Sequence, residues 1–273
     1  MRFAEYLLIG TAITGAVWVL DTVFLRPRRM MYVVQTKDQA AAEPWWVEYS
    51  KSFFPILLIV FILRSFLAEP FRIPSGSMRP TLLEGDFIVV NKYDYGLRWP
   101  IVGKRIINIG EPKRGDVIVF KGDNYNRKGE SMDMIKRVVG LPNDHIQYKN
   151  KTLYINGEPV KQEFQTDKLD VNPNGAAVPV RELIEYLGDA KHEIYTQPAA
   201  NHDALYQYHD VTVPPNHYFV MGDNRDFSAD SRFWGFVKDE DVQGRAFLVW
   251  MSFEGTHWYW PWPIRWKHLG WIH

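Results

Sequence analysis

Two apolar runs near the N-terminus constrain this chain more than any other feature. Residues 6–25 (YLLIGTAITGAVWVLDTVFL) carry a single charge, Asp21. As a helix that run covers about 30 Å, the thickness of a bilayer's hydrocarbon core. A cleaved leader is the alternative. The run exceeds a leader's usual apolar region, however, and no small-x-small site closes it. Arg26-Pro27-Arg28-Arg29 follows instead, so a retained span is favoured. Residues 53–68 (FFPILLIVFILRSFLA) are the second candidate. They cover about 24 Å as a helix, and Arg64 lies near one end, where a long side chain reaches headgroups. For so short a run, a buried core helix is the competing reading. Between them, residues 26–52 set Arg26, Arg28, Arg29, Lys37 and Lys51 against Asp38, Glu43 and Glu48. A short basic loop marks the cytoplasmic side. Two crossings then place residues 1–5 and everything past 68 outside the cytoplasm.

Composition removes several function classes. The 273 residues have a formal net charge of zero, which argues against a nucleic-acid binder. Cysteine is absent, so no disulfide, thiol nucleophile or thiolate site can form. The eight histidines show no HxxxH or HExxH spacing, which argues against a zinc hydrolase. Neither a metal nor a cofactor is expected. Tryptophan is frequent, at 11 residues, five of them within 258–271. Pro261 and Pro263 prevent a regular strand or helix there, and we read that stretch as an aromatic surface for lipid headgroups.

Beyond residue 69 the pattern turns to strands. GDFIVVNKY (85–93), RGDVIVFKG (114–122) and DMIKRVVG (133–140) are short apolar runs between turn residues. Residues 145–148 and 152–155 read as a hairpin, and 217–221 and 245–250 as further strands. One helix is expected over 179–187, with Leu183, Ile184 and Leu187 on one face and Gly188 as its stop. Residues 162–215 otherwise read as loop-rich.

The stretch with most chemical potential is 71–86 (FRIPSGSMRPTLLEGD), which holds Ser75 and Ser77 in a turn between Pro74 and Pro80. A serine there can be a turn former and nothing more. To act as a nucleophile it needs a base. No GxSxG elbow is present, which leaves lysine. Lys136, between Ile135 and Val138-Val139, would be neutral if its strand is buried, since burial penalises the ammonium. A solvated strand face is the alternative. Arg137 points to the opposite face, so only one of the two is expected to be inward.

Five motifs now stand in order: PSGSMRPTL (74–82), GDFIVVNKY (85–93), RGDVIVF (114–120), IKRVVGLPND (135–144) and GDNRDFSADSRFWGFV (222–237). Together, behind two spans, they resemble the bacterial type I signal peptidases. The resemblance implies two N-terminal transmembrane helices followed by a mostly antiparallel β extracytoplasmic domain. The catalytic β core would occupy 69–144 and 218–273, and a second, variable domain 145–217. It implies a Ser/Lys-dyad endopeptidase of the bacterial inner membrane, acting on the periplasmic side on signal peptides of exported preproteins. In that family's terms Ser77 is the nucleophile and Lys136 the general base. Ser75 stabilises the oxyanion, Ser228 orients the lysine, and Asp223, Arg137, Asp230 and Arg232 are bracing charges. Phe71, Ile73, Met78, Leu82, Ile88, Val119 and Ile135 would line small pockets for an Ala-x-Ala-like site. Phe227 departs from the asparagine often found in the family. A dedicated processing peptidase of the same clan and a silent membrane-anchored assembly factor remain as alternatives.

Overall fold

The computed structural model describes residues 3–36, 43–98, 105–123, 131–172, 174–198, 208–254 and 263–272. Its contacts divide into two units, residues 1–68 with 98–104, and residues 69–97 with 105–273.

In the first unit, α1 (Phe3–Leu20), a five-residue π turn (Asp21–Leu25) and α2 (Arg26–Thr36) form one unbroken helical run. α3 (Trp45–Ile62) ends in a second π turn (Leu63–Leu67). The stretches Glu5–Tyr32 and Trp45–Ser65 are long and apolar enough to cross a membrane. Helix therefore occupies much of the polar stretch between the two apolar runs, and α3 begins eight residues before the second run. Hydropathy reports where a helix meets an apolar medium; its backbone hydrogen bonds extend further into polar sequence. Gly15 lets α1 approach α3 closely, since a Cβ there would stand 2.6 Å from the Phe54 ring. The Trp18 and Phe54 rings pack at 5.3 Å. Asp21 is fully buried and lies 2.6 Å from Arg29 Nη2 and 2.9 Å from Lys51 Nζ, as a buried charge must be paired.

The second unit is built on an eight-stranded sheet. Its order is β1 (Ala68–Arg72), β2 (Asp86–Asn91), β16 (Val242–Ser252), β5 (Val117–Asp123), β6 (Ser131–Gly140), β14 (His217–Met221) and β15 (Val237–Lys238), with β17 (Gly270–Trp271) on β16. The pairs β2–β16, β16–β5, β5–β6 and β6–β14 are antiparallel. A four-stranded sheet joins β13 (Asp210–Thr212), β7 (His145–Lys149), β8 (Thr152–Ile155) and β9 (Glu158–Pro159). β3 (Leu97–Arg98) and β4 (Arg105–Ile107) form a two-stranded piece. The last sheet is a ribbon of β10 (Gln162–Val171), β11 (Ala177–Leu187) and β12 (Ala190–Thr196).

The ribbon corrects two expectations. Residues 179–187 are not a helix, and 162–196 are not loop-rich. β11 pairs with β10 over Ala177–Glu185 and with β12 over Arg181–Leu187, so where the two overlap both rows of backbone groups find partners in a sheet. Gly188 does not stop a helix. With φ of 65° it opens a two-residue hairpin turn, Leu187 pairing with Ala190.

A third correction concerns β6. Lys136 and Arg137 are both inward, at 5% and 0% exposure. Their cross-strand neighbours on β5, Ile118 and Val117, point to opposite faces, and both are buried. The sheet is therefore covered on both sides at this point, and alternation no longer sorts inside from outside. Of the tryptophan-rich end, residues 255–262 lie outside the described residues. Trp266 and Trp271 are 70% and 68% exposed.

Candidate active site

The N–H of Ile73 donates to Asp86 O at 2.8 Å and that of Gly85 to Ile73 O at 3.0 Å. These bonds draw residues 74–84 into a closed loop between β1 and β2. Ser77 sits in that loop, in a single 3-10 turn (Gly76–Met78). Gly76 lies under an ion pair: a Cβ would meet Glu84 Oε1 at 2.6 Å, where Arg79 Nη2 and Glu84 Oε2 are 2.5 Å apart. The segment after β14 then crosses the turn. Asn224 donates its backbone N–H to Ser77 O (3.1 Å) and its Nδ2 to Gly76 O (3.0 Å). Gly222 has no room for a side chain, because a Cβ would run into Ser77 O and Ser228 Oγ.

This arrangement places Lys136 Nζ 2.7 Å from Ser77 Oγ. Nζ also donates to the Ile135 carbonyl at 3.0 Å. Burial pushes the Lys136 amine down to about 8, against the pull of Asp230 and Asp223; Arg232 adds to the lowering. Relative to 10.5 this is about 3 kcal/mol against the ammonium. Each of the two carboxylates is itself ion-paired. Burial alone would raise Asp223, but Arg137 holds it below the usual carboxylate range, through bonds of 2.9 and 2.8 Å. Burial alone would likewise raise Asp230, which Arg232 holds low through two bonds of 2.8 Å. Gly222 N–H donates to Asp230 at 2.9 Å.

Of the remaining serines named from sequence, Ser75 is exposed and its side chain caps nothing. Ser228 Oγ is buried beside Gly222, and its hydroxyl helps to hold Asp230 low. The seven apolar positions come together in one cluster with Val90, Val117, Ala246 and Val249. Ile73, Met78, Leu82, Ile88 and Val119 are closed to solvent, while Phe71 and Ile135 pack half-buried against them. Three participants had not been named. Asn224 tethers the nucleophile turn, as above. Thr81 donates to Asp223 Oδ2 at 2.5 Å. Arg225 is fully buried against Glu185. All three stood within quoted motifs, yet only their contacts reveal a role. Among the described residues, no three His, Asp or Glu side chains cluster as metal ligands would.

Chemically, this is a hydroxyl and a desolvated amine at hydrogen-bonding distance, braced by two buried ion pairs. The family described as "Signal peptidase, peptidase S26" matches residues 46–251. The chain belongs to the signal peptidase family. Signal peptidase I of Pseudomonas fluorescens is 43% identical over 291 residues, covering 96% of this chain and 94% of the relative. That of Pseudomonas aeruginosa is 43% identical over 285 residues with the same coverage. A crystal structure of a signal peptidase I from Enterococcus faecalis V583 is 27% identical and covers 50% of this chain and 96% of its own, at a TM-score of 0.29. The signal peptidase family is one of proteases that process signal peptides, so the chain is a hydrolase of peptide bonds. Its two N-terminal apolar helices followed by antiparallel sheets are the order of elements expected from the sequence.

Proposed function

We propose that the chain is a membrane-anchored serine endopeptidase that cleaves signal peptides from exported preproteins after Ala-x-Ala-like sites, with Ser77 as nucleophile and neutral Lys136 as general base. The contact of 2.7 Å between Nζ and Oγ, made by an amine that burial has lowered to about 8, is the observation that carries this reading. The neutral amine accepts the Ser77 proton as Oγ attacks the scissile carbonyl. The Ser75 hydroxyl and the Ser77 N–H stabilise the oxyanion, each such donor being worth about 2.7–4 kcal/mol. The ammonium then returns its proton to the leaving amine. Ser228 Oγ, buried beside Gly222, orients the Lys136 amine in this reading. Arg137 and Arg232 keep both carboxylates ion-paired, so neither is a free counter-ion for the Lys136 ammonium.

The substrate lies extended, as added strands do, with alternate side chains in pockets. Phe71 and Ile135 border the apolar cluster beneath, and in this reading small residues one and three before the cut pack against them. The full chain in detergent should cleave a preprotein carrying Ala-x-Ala. Replacing the alanine before the cut with leucine should lower kcat/KM by about a hundredfold through steric exclusion. Equal rates for the two would overturn the pocket assignment.

The reading also sets an orientation in the bacterial inner membrane. With basic residues 26–52 in the cytoplasm, residues 69–273 lie on the periplasmic side. Protease added to intact spheroplasts should digest them. Their survival until the membrane is breached would reverse the topology.

A further inference from the structure

The ribbon β10–β12 carries a buried charge cluster that the catalytic reading does not use. Glu185 of β11 is fully buried, as is Arg225 four residues after β14. Both terminal nitrogens of Arg225 bond the Glu185 carboxylate, Nη1 to Oε1 at 2.8 Å and Nη2 to Oε2. Gln162 Nε2 adds a third bond, 2.9 Å to Oε1. His192 of β12 is buried alongside, Nε2 3.4 Å from Glu185 Oε2 and 3.9 Å from Asp223 Oδ1. Burial and the neighbouring Arg137 favour its neutral form. Two buried charges cost more than an apolar pair of the same volume, so stability alone gives this pair no evident reason to exist.

What the pair does is hold one short segment. Tyr195 of β12 bridges in parallel to Asn224, and its N–H donates to Asp223 O at 2.9 Å. Asn224 in turn holds Ser77 O and Gly76 O. The ribbon reaches the turn by a second route, from Asp170 at the end of β10 to Arg79 Nη1 at 2.5 Å. Residues 222–225 therefore lie between the nucleophile turn and a ribbon that grips them through Glu185–Arg225.

We propose that Glu185 and Arg225 are positioning residues, which make the ribbon a clamp that holds residues 222–225 over Ser77 and keeps the Lys136 amine dry. The clamp acts on catalysis through the environment of Lys136, whose charged neighbours are Asp223, Asp230 and Arg232. Glu185 itself faces Arg225, His192 and Gln162. When the clamp loosens, water reaches the amine and its affinity for protons returns toward the unperturbed value.

This inference rests on the Ser77/Lys136 reading, and one experiment separates the two. It compares kcat/KM from pH 6 to 11 for the full chain and for Glu185→Gln, with a melting temperature for each. A second variant, Arg225→Lys, keeps the charge and loses the two-pronged contact. Asp167→Asn, which breaks an exposed ion pair with Arg181 on the same ribbon, is the control and should match the unaltered chain. At pH 7 either clamp variant should lose about tenfold in kcat, the share of neutral amine that a limb one unit higher removes. KM should barely move, and the rate should recover as pH rises, with the acid limb displaced upward by about one unit. A rate loss with an unmoved limb, or no loss in either folded variant, would overturn the clamp. Absence of an acid limb in the unaltered chain would instead overturn the dyad.

Discussion

Ser77→Ala leaves a folded protein that does not turn over. The hydroxyl's recorded hydrogen bond is with the Lys136 amine, and the turn around it is held by backbone: Arg79 N–H to Gly76 O, Leu82 N–H to Met78 O, and Asn224 to Ser77 O. Removing Oγ therefore takes one hydrogen bond from the fold, about 1 kcal/mol, which for a domain of this size shifts Tm by about 2–4 °C. Its effect on rate is of another order. Without the nucleophile no acyl-enzyme forms, and kcat should fall by at least about 10⁴-fold. Circular dichroism with a preprotein cleavage assay checks both halves. Retained activity would end the serine-peptidase reading.

Lys136→Arg should be as inactive as Ser77→Ala although the positive charge remains. The amine can act as a base because burial makes its neutral form accessible near pH 8. A guanidinium releases no proton in this range. Because nucleophile and base act as a unit, the two losses should not add. The double variant Ser77→Ala/Lys136→Arg should be no slower than either single one. Additive losses would mean that Lys136 serves Ser77 only by holding the turn in place. An active Lys136→Arg would remove it from the chemistry.

The elements legible in the sequence were those whose partners are near or whose pattern is unambiguous. Apolar runs located both long helices, and β2, β5, β6 and the β7–β8 hairpin followed from short apolar stretches between turn residues. Ser77 and Lys136 became legible as chemistry only through the five motifs in order, since a turn serine and a strand lysine each have an ordinary structural reading. The ribbon was not. β10 (QEFQTDKLDV) has no apolar alternation, since much of it faces solvent. It is held instead by cross-strand ion pairs, Asp167 with Arg181 and Lys168 with Glu182, and such pairs exist only once the register is known. Leu183, Ile184 and Leu187 fit a helical face and a strand pattern equally, and Gly188 serves as helix stop or hairpin turn. The same limit hid Glu185, His192 and Arg225. A charged residue in an exposed-looking strand reads as solvated until the strand that buries it is in place. Arg137 and Lys136 were misjudged together for a related reason: alternation assumes one wet face, and β6 has none.

The account turns on a neutral Lys136, and the pH dependence of kcat/KM tests it most directly. An amine lowered to about 8 is mostly protonated at pH 7 and mostly neutral above 9. The sign follows: the rate rises as pH passes through about 8 and then levels off. The measurement runs from pH 5 to 11 on the full chain in detergent with an Ala-x-Ala preprotein, with and without a chelator. The account predicts one acid limb centred near pH 8, identical in both series. A limb near pH 4–5, where a carboxylate base would titrate, or activity lost on chelation, would contradict it.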